Sequence, residues 1–159
     1  MSNYVNEEEI KLEPCDAFFG QRGSHTITTV ADSSSDTLDG VVLFDFYNSD
    51  YELVEGYVWN NVGAAGTDPA LVGKTGFEAS YVADASATVI ATAYVDAMIL
   101  NTNLTASSVA GVVTYASKYF GATTIPLAGA TDPGFTYATV KLGKGGPIGS
   151  TSDAITIAF

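Results

Sequence analysis

The chain contains the ending of a phosphate-binding loop, Gly73-Lys74-Thr75, a motif that cradles nucleotide phosphates with backbone N–H groups. The first glycine of that loop should stand at position 68, where this chain has Asp68. A carboxylate at this position would face the phosphates and repel them. The spacing therefore predicts an ordinary loop rather than a nucleotide site.

A second run has the ligand spacing with which a calcium-binding loop begins. Asp32, Ser34 and Asp36 occupy its first, third and fifth positions. The sixth position needs glycine and the twelfth needs a bidentate glutamate, whereas this chain has Thr37 and Leu43 there. Asp and Ser side chains often bond their own backbone in turns, so this run predicts a turn and no metal site.

The sequence lacks the further residues that a histidine or a cysteine would need for metal binding or nucleophilic catalysis. His25 and Cys15 are the sole residues of their types, so a structural zinc site would need an unfavourable, mainly carboxylate ligand set. No serine lies in the Gly-x-Ser-x-Gly context of a hydrolase nucleophile. We therefore expect no enzymatic activity, no metal and no cofactor, and we expect His25 to be exposed or hydrogen-bonded.

The composition predicts one acidic domain. The 159 residues are 47% hydrophobic, enough for a single core, and only 15% are charged. The formal net charge of -12 opposes nucleic-acid binding, which needs a basic face to neutralise phosphates. Because Cys15 stands alone, the chain is not a disulfide-stapled scaffold.

Acidic residues concentrate in the first third of the chain. Residues 1–55 hold twelve of the 18 acids and two of the 6 bases. This distribution predicts a negative patch, which serves either solubility or a function such as contact with a basic neighbour or repulsion of DNA. The acids of the predicted assembly interface or lumen surface are Glu7, Glu8, Glu9, Asp45, Asp50, Glu52 and Glu55.

Secretion and membrane signals are not expected. The N-terminal residues are acidic where a signal peptide needs basic ones. The longest apolar stretch, residues 87–100, is interrupted by Thr92 and Asp96 and falls short of the roughly 20 residues that a membrane span requires. The sequence therefore predicts no membrane contact.

Short runs of alternating apolar and β-branched residues predict strands. The clearest pair, 41–47 and 51–59, flanks Asn48-Ser49-Asp50 and predicts a hairpin. Further strands are predicted at 16–20, 25–30, 77–82, 109–115, 119–125, 136–142 and 154–159.

One helix is predicted over about residues 86–100, because Ile90, Tyr94 and Met98 recur at helical spacing. Together the elements predict a β-rich α+β fold: an antiparallel β sandwich or small barrel with one α-helix. Residues 14–159 would form this single domain, and residues 1–13 a flexible acidic arm that a partner orders.

Aromatic residues crowd the predicted hairpin more densely than one sheet face can bury. Some of them are therefore predicted to lie on an intersubunit surface, where aromatic residues are enriched, namely Tyr47, Tyr51 and Trp59. The alternative is a carbohydrate-binding module in which exposed Tyr47, Tyr51, Tyr57 and Trp59 stack on sugars.

Several stretches resemble a module of virion structural proteins from tailed bacteriophages. The main one runs from Tyr57-Val58-Trp59 to Gly73-Lys74-Thr75-Gly76 and continues at 84–93, with 28–32 and 38–40 before it. The opening residues 12–20 are similar to the start of some phage head and tail subunits. The likeness spans roughly residues 12–100 and departs from the pattern at 50–56, where the hairpin carries extra acids.

This resemblance implies a non-enzymatic subunit of the virion, made in the host bacterial cytoplasm, that self-assembles in many copies. A tail tube protein is the favoured form, and a capsid decoration protein is the alternative. The implied partners are other copies of the chain and a tail sheath or major capsid protein. Sequence-specific nucleic-acid binding is not expected, since an acidic lumen would let DNA slide past by repulsion.

Overall fold

The computed structural model describes residues 20–32 and 40–144. The predicted arm 1–13 with Glu7, Glu8 and Glu9, most of the predicted strand 16–20, and the predicted strand 154–159 lie outside these residues. Within them the chain forms eight strands and one helix. Their bounds are β1 Ser24–Thr28, β2 Val41–Tyr47, β3 Leu53–Val62, β4 Thr75–Tyr81, α1 Ala87–Ile99, β5 Leu104–Val109, β6 Val112–Ser117, β7 Leu127–Ala128 and β8 Thr136–Lys141.

The strands form two four-stranded sheets, which confirms the predicted β-rich sandwich with one helix. The first sheet has the order β5-β6-β1-β8 and the second has the order β4-β3-β2-β7. All strand pairs are antiparallel except β3 and β4, which are parallel neighbours. Parallel neighbours cannot be joined by a tight turn, so residues 63–74 must cross back over the sheet before β4 begins.

Aromatic rings fill the space between the two sheets. Phe44 of β2 lies 5.9 Å from Phe46, 5.6 Å from Phe77 of β4 and 5.3 Å from Tyr115 of β6, measured between ring centroids. Gly56 of β3 makes room for this cluster, because a Cβ atom there would stand 2.9 Å from the Phe44 ring. The strict alternation of buried and exposed residues in β4 confirms the period of two predicted there.

Helix α1 closes one side of the sandwich by packing against β4 and β5, the edge strands of the two sheets on that side. It begins after the N-cap Ser86, whose side chain accepts a hydrogen bond from the Val89 N–H. Ile90, Tyr94 and Met98 are fully buried, as their spacing predicts. The Tyr94 hydroxyl donates to the Asn60 side-chain oxygen at 2.8 Å, which satisfies both groups inside the core.

The structure corrects three local predictions. The predicted strand 109–115 is interrupted by a two-residue turn in which Ala110 and Gly111 both have positive φ, 48° and 84°. This turn joins the end of β5 to the start of β6 in a hairpin. The predicted strand 119–125 is not a strand: Gly121 forms an isolated bridge with Arg22, and the chain pairs with β2 only after this stretch, at β7. The β2–β3 connection spans residues 48–52 instead of three residues.

We expect Ile90→Asp to unfold the domain, because it places a carboxylate at a fully buried position of α1. The cost of several kcal/mol is comparable with the whole stability of a small domain. Val89→Asp is the matched control, since the neighbouring Val89 side chain is 46% exposed. Urea unfolding and solubility measure both variants, and a soluble, cooperatively folded Ile90→Asp protein would contradict the assignment of this helix face to the core.

Candidate assembly surface on the β2–β3 hairpin

The connection between β2 and β3 is a rigid projection organised by Asn48. Its side-chain oxygen accepts hydrogen bonds from the backbone N–H groups of Asp50 at 3.0 Å and Glu52 at 2.9 Å. Its side-chain amide donates to the Glu52 carboxylate at 3.1 Å. Asparagine often organises turns in this way, so the sequence carried a signal for this geometry that the prediction of a three-residue turn did not use.

The outer part of this projection carries exposed apolar side chains. Tyr51 is 41% exposed and Leu53 is 51% exposed. Tyr51 adopts a positive φ of 60°, which is strained for a bulky residue, and its ring meets Tyr119 edge-on at a centroid distance of 5.6 Å. The hydrogen bonds to Asn48 and the contact with the Tyr119 ring therefore hold Tyr51 in a backbone conformation that is unfavourable for an isolated tyrosine. We call residues 48–53 the hairpin tip.

Two predicted acids lie at the hairpin tip and two lie farther down the hairpin. Asp50 and Glu52 are exposed at the tip. Asp45 and Glu55 are direct cross-strand partners in β2 and β3, an arrangement in which like charges repel. Each of the paired carboxylates has its own partner. Glu55 forms an ion pair with Lys74, and Asp45 accepts hydrogen bonds from Thr124.

Asp45 is a buried group and not part of an exposed acidic surface, which corrects its predicted place there. Its residue is only 7% exposed. One carboxylate oxygen accepts a hydrogen bond from the Thr124 backbone N–H at 2.8 Å and the other accepts one from the Thr124 hydroxyl at 3.0 Å. Both bonds fasten the segment before β7 to β2. Asp45 therefore stabilises the fold, and the tip acids remain as the exposed charges of the hairpin.

The crossover 63–74 lies on the outer face of β3 and covers two of the predicted aromatic residues. Tyr57 is almost fully buried, and its hydroxyl donates to Asp68 at 2.6 Å. Trp59 is 9% exposed. The prediction that Tyr57 and Trp59 form an exposed stacking platform is therefore wrong. Tyr47 is half-buried at the end of β2, where its backbone N–H and C=O both bond the Ser117 hydroxyl.

A groove of about 330 Å³ opens beside Trp59 on this outer face. Its walls include Trp59 and Pro69, with Asn60, Thr67 and Thr131 among the polar residues. A second cavity, between Asp45, Glu55, Lys74 and Thr124, has only about 110 Å³. Ligand sites usually have about 300 Å³ or more, so the Trp59 groove is large enough to admit a small molecule.

His25 lies in a buried polar cluster away from the hairpin tip, so of the two predicted settings it occupies the hydrogen-bonded one. Its imidazole contacts the hydroxyls of Thr123 at 2.9 Å and Thr139 at 3.2 Å. One hydroxyl can donate and the other accept, which satisfies a neutral ring. Burial lowers the pKa of the His25 imidazole, and the negative charge of Asp45 partly offsets that effect.

Within the described residues, the imidazole of His25 and the carboxylates of Asp45 and Glu55 all have partners inside the protein. Among the described residues no three His, Cys, Asp or Glu side chains are grouped so that they could hold a metal ion. The carboxylates of Asp45 and Glu55 are taken up by Thr124 and Lys74, and His25 faces two threonines inside the fold. Within residues 20–32 and 40–144, no helix has the length and apolar character that crossing a bilayer requires.

Comparison with models of known protein families and with curated protein sequences gave no match for this chain.

We expect Asp45→Ala to lower the free energy of unfolding by about 1–3 kcal/mol, because it removes both hydrogen bonds that the buried Asp45 carboxylate accepts from Thr124. The matched control is Asp50→Ala at the exposed tip, for which we expect a change within about 0.5 kcal/mol. Urea unfolding of both variants measures the difference. Equal stabilities would show that the bonds from Thr124 contribute nothing to folding.

We also expect acid to destabilise the domain through His25. The lowered pKa means that below about pH 6.5 the unfolded chain binds a proton that the folded chain binds less readily. Stability is therefore fully present above that pH and falls as the pH decreases toward the pKa of the folded state. Urea unfolding at decreasing pH measures this effect. The free energy of unfolding of His25→Gln should fall less steeply with decreasing pH than that of the native chain, and the two slopes should differ by at most about 1.4 kcal/mol per pH unit. Carboxylates titrate in both proteins, so identical slopes would contradict a neutral, buried His25.

Proposed function

We propose that this chain is a non-enzymatic structural subunit of a tailed-phage virion that assembles in many copies, in the form of a tail tube. The phage assignment is supported by the sequence resemblance over roughly residues 12–100. The observation that carries the assembly function is the hairpin tip, where exposed Tyr51 and Leu53 are held on a rigid backbone.

A rigid tip favours binding because its side chains lose little conformational freedom when a neighbour covers them. Aromatic residues are enriched in protein interfaces, and strained backbone positions such as Tyr51 cluster at functional sites. The neighbouring copy would bury Tyr51 and Leu53, and Asp50 and Glu52 would surround this contact with charges that select the partner.

The same acids support a tube rather than a surface coat. DNA must pass through a tail tube without adhering to it, and a net charge of -12 keeps the subunit from binding phosphates. Because Asp45 is buried and Glu55 is paired with Lys74, this repulsion would come from Asp50, Glu52 and the acids outside the described residues.

Carbohydrate binding is a second candidate, favoured by the groove beside Trp59. Trp59 is the single tryptophan of the chain, so its fluorescence would report directly on a sugar entering this groove. Saturable fluorescence changes with soluble oligosaccharides would support this candidate. Unchanged emission across a panel of neutral and acidic oligosaccharides would remove it.

We expect the double variant Tyr51→Ser and Leu53→Ser to fold normally and to assemble poorly. Removing two interface side chains should raise the protein concentration needed for assembly by about 10-fold or more. The control is Val72→Ser, which removes a side chain that is 98% exposed on the crossover. Negative-stain microscopy and sedimentation of the purified proteins measure assembly.

Rings or stacked tubes that form with the native chain and the control, and not with the double variant, would support the proposal. A native protein that instead coats expanded capsids would be a decoration protein. A native protein that stays monomeric with and without other virion proteins would overturn the assembly function altogether.

A further inference from the structure

Strand β8 is an open sheet edge within the described part of the chain. It pairs with β1 on one side and with no described strand on the other. Five of its six residues are exposed, and the remaining one, Tyr137, is half-buried. No proline interrupts it, and its only charge is Lys141 at the end. Such an edge presents unpaired N–H and C=O groups and is a template for another strand.

The other sheet edges of the described residues lie against another element or are much shorter than β8. Helix α1 lies against β4 and β5, which are the edges on one side of the sandwich. On the other side β7 pairs with β2 at Val42 and Leu43, and the Ser117 hydroxyl bonds both backbone groups of Tyr47. Among the described edge strands, β8 is therefore the longest that does not lie against α1.

The two faces of β8 specify what a partner strand must look like. Thr139 contacts buried His25 and Tyr137 packs on the core, so these two residues face inward. Ala138 lies between them in the strand and is exposed on the outer face. A bulge leaves Val140 without a partner in β1, and Thr136 to Thr139 pair regularly. The partner strand needs apolar residues at every second position on its inner face and has no need of charge.

The sequence contains one run of this kind outside the described residues, 154–159. It alternates Ile155, Ile157 and Phe159 with Ala154, Thr156 and Ala158 and contains no charge or proline. It has six residues, which is the length of β8. The apolar alternation matches the inner and outer faces of the β8 edge.

We infer that residues 154–159 of one copy pair with the β8 edge of a neighbouring copy and extend its sheet. Nine residues, 145–153, separate this run from Lys144, which is bonded to Gln21 beside β1. A return to the same β8 would be a hairpin connection of twelve residues, 142–153, whereas hairpin loops usually have two to five, so the spacing favours another copy. Extended, residues 145–153 reach about 30 Å.

This inference rests on the proposed assembly function, and it adds a head-to-tail contact in which each copy both donates a strand and accepts one. Contacts of this kind close into rings when the rotation between copies closes. Backbone hydrogen bonds would supply affinity, and the inward positions of Ile155 and Ile157 would set the register. The hairpin tip would then be a second and separate contact between copies.

The first test compares two adjacent substitutions to the same residue. Ile157→Asp would place a carboxylate on the inner face of the added strand, whereas Thr156→Asp would place it on the outer face. We expect Ile157→Asp to raise the concentration needed for assembly by at least about 10-fold and Thr156→Asp to change it little. Equal assembly of both variants would overturn strand exchange and leave the proposed function standing. If the native chain forms no rings or tubes, both proposals fail.

The second test distinguishes pairing between copies from pairing within one copy. Full-length chains with Cys15→Ser carry a single new cysteine, either Ala138→Cys on β8 or Thr156→Cys, and are mixed with a short bismaleimide crosslinker. A covalent product joining the two different chains supports the inference. Thr92→Cys on the exposed face of α1 replaces Ala138→Cys in the control mixture, which should give at least about 10-fold less of that product. A third chain that carries both Ala138→Cys and Thr156→Cys tests for pairing within one copy, and crosslinks found only within that chain would overturn the inference.

Discussion

Four aromatic rings between the two sheets set the geometry on which the rest of this fold depends. Phe44, Phe46, Phe77 and Tyr115 come from three strands, β2, β4 and β6, so their packing fixes the two sheets relative to each other. Gly56 of β3 lies directly against three of these rings, and any larger side chain there would displace a ring. A close-packed interior tolerates little change in volume, so this cluster constrains strand order as well as spacing.

Because the inner faces are filled with apolar groups, the polar residues of the hairpin must be accommodated outside the core. Connecting segments do this: residues 63–74 cover Tyr57, and the segment before β7 satisfies Asp45. Helix α1 in turn lies against β4 and β5, the edge strands on one side of the sandwich. Among the described residues, the hairpin tip and β8 are two exposed surfaces that belong to different sheets. The proposed assembly would use both surfaces, because a subunit that contacts one neighbour on each side needs two separate surfaces.

Features that depend on neighbouring residues could be predicted from the sequence. The alternation of Phe77, Ala79 and Tyr81 specified a half-buried strand, and Ile90, Tyr94 and Met98 specified the buried face of a helix, because strand and helix periods place these residues on one side. The β2–β3 hairpin and the β-rich sandwich followed in the same way. The turn at Ala110 escaped prediction because alanine at a positive φ carries no signal of its own.

Only the tertiary structure decided which polar residues are buried and which remain available to a partner. Asp45 resembles Asp50 in sequence, yet Thr124, 79 residues away, supplies the two bonds that bury it. His25 is buried because Thr123 and Thr139, 98 and 114 residues away, approach its ring. The parallel pairing of β3 and β4 likewise arises from the crossover. A buried polar group needs partners at hydrogen-bond distance, and the partners of Asp45 and His25 come from distant parts of the chain, which no local pattern specifies.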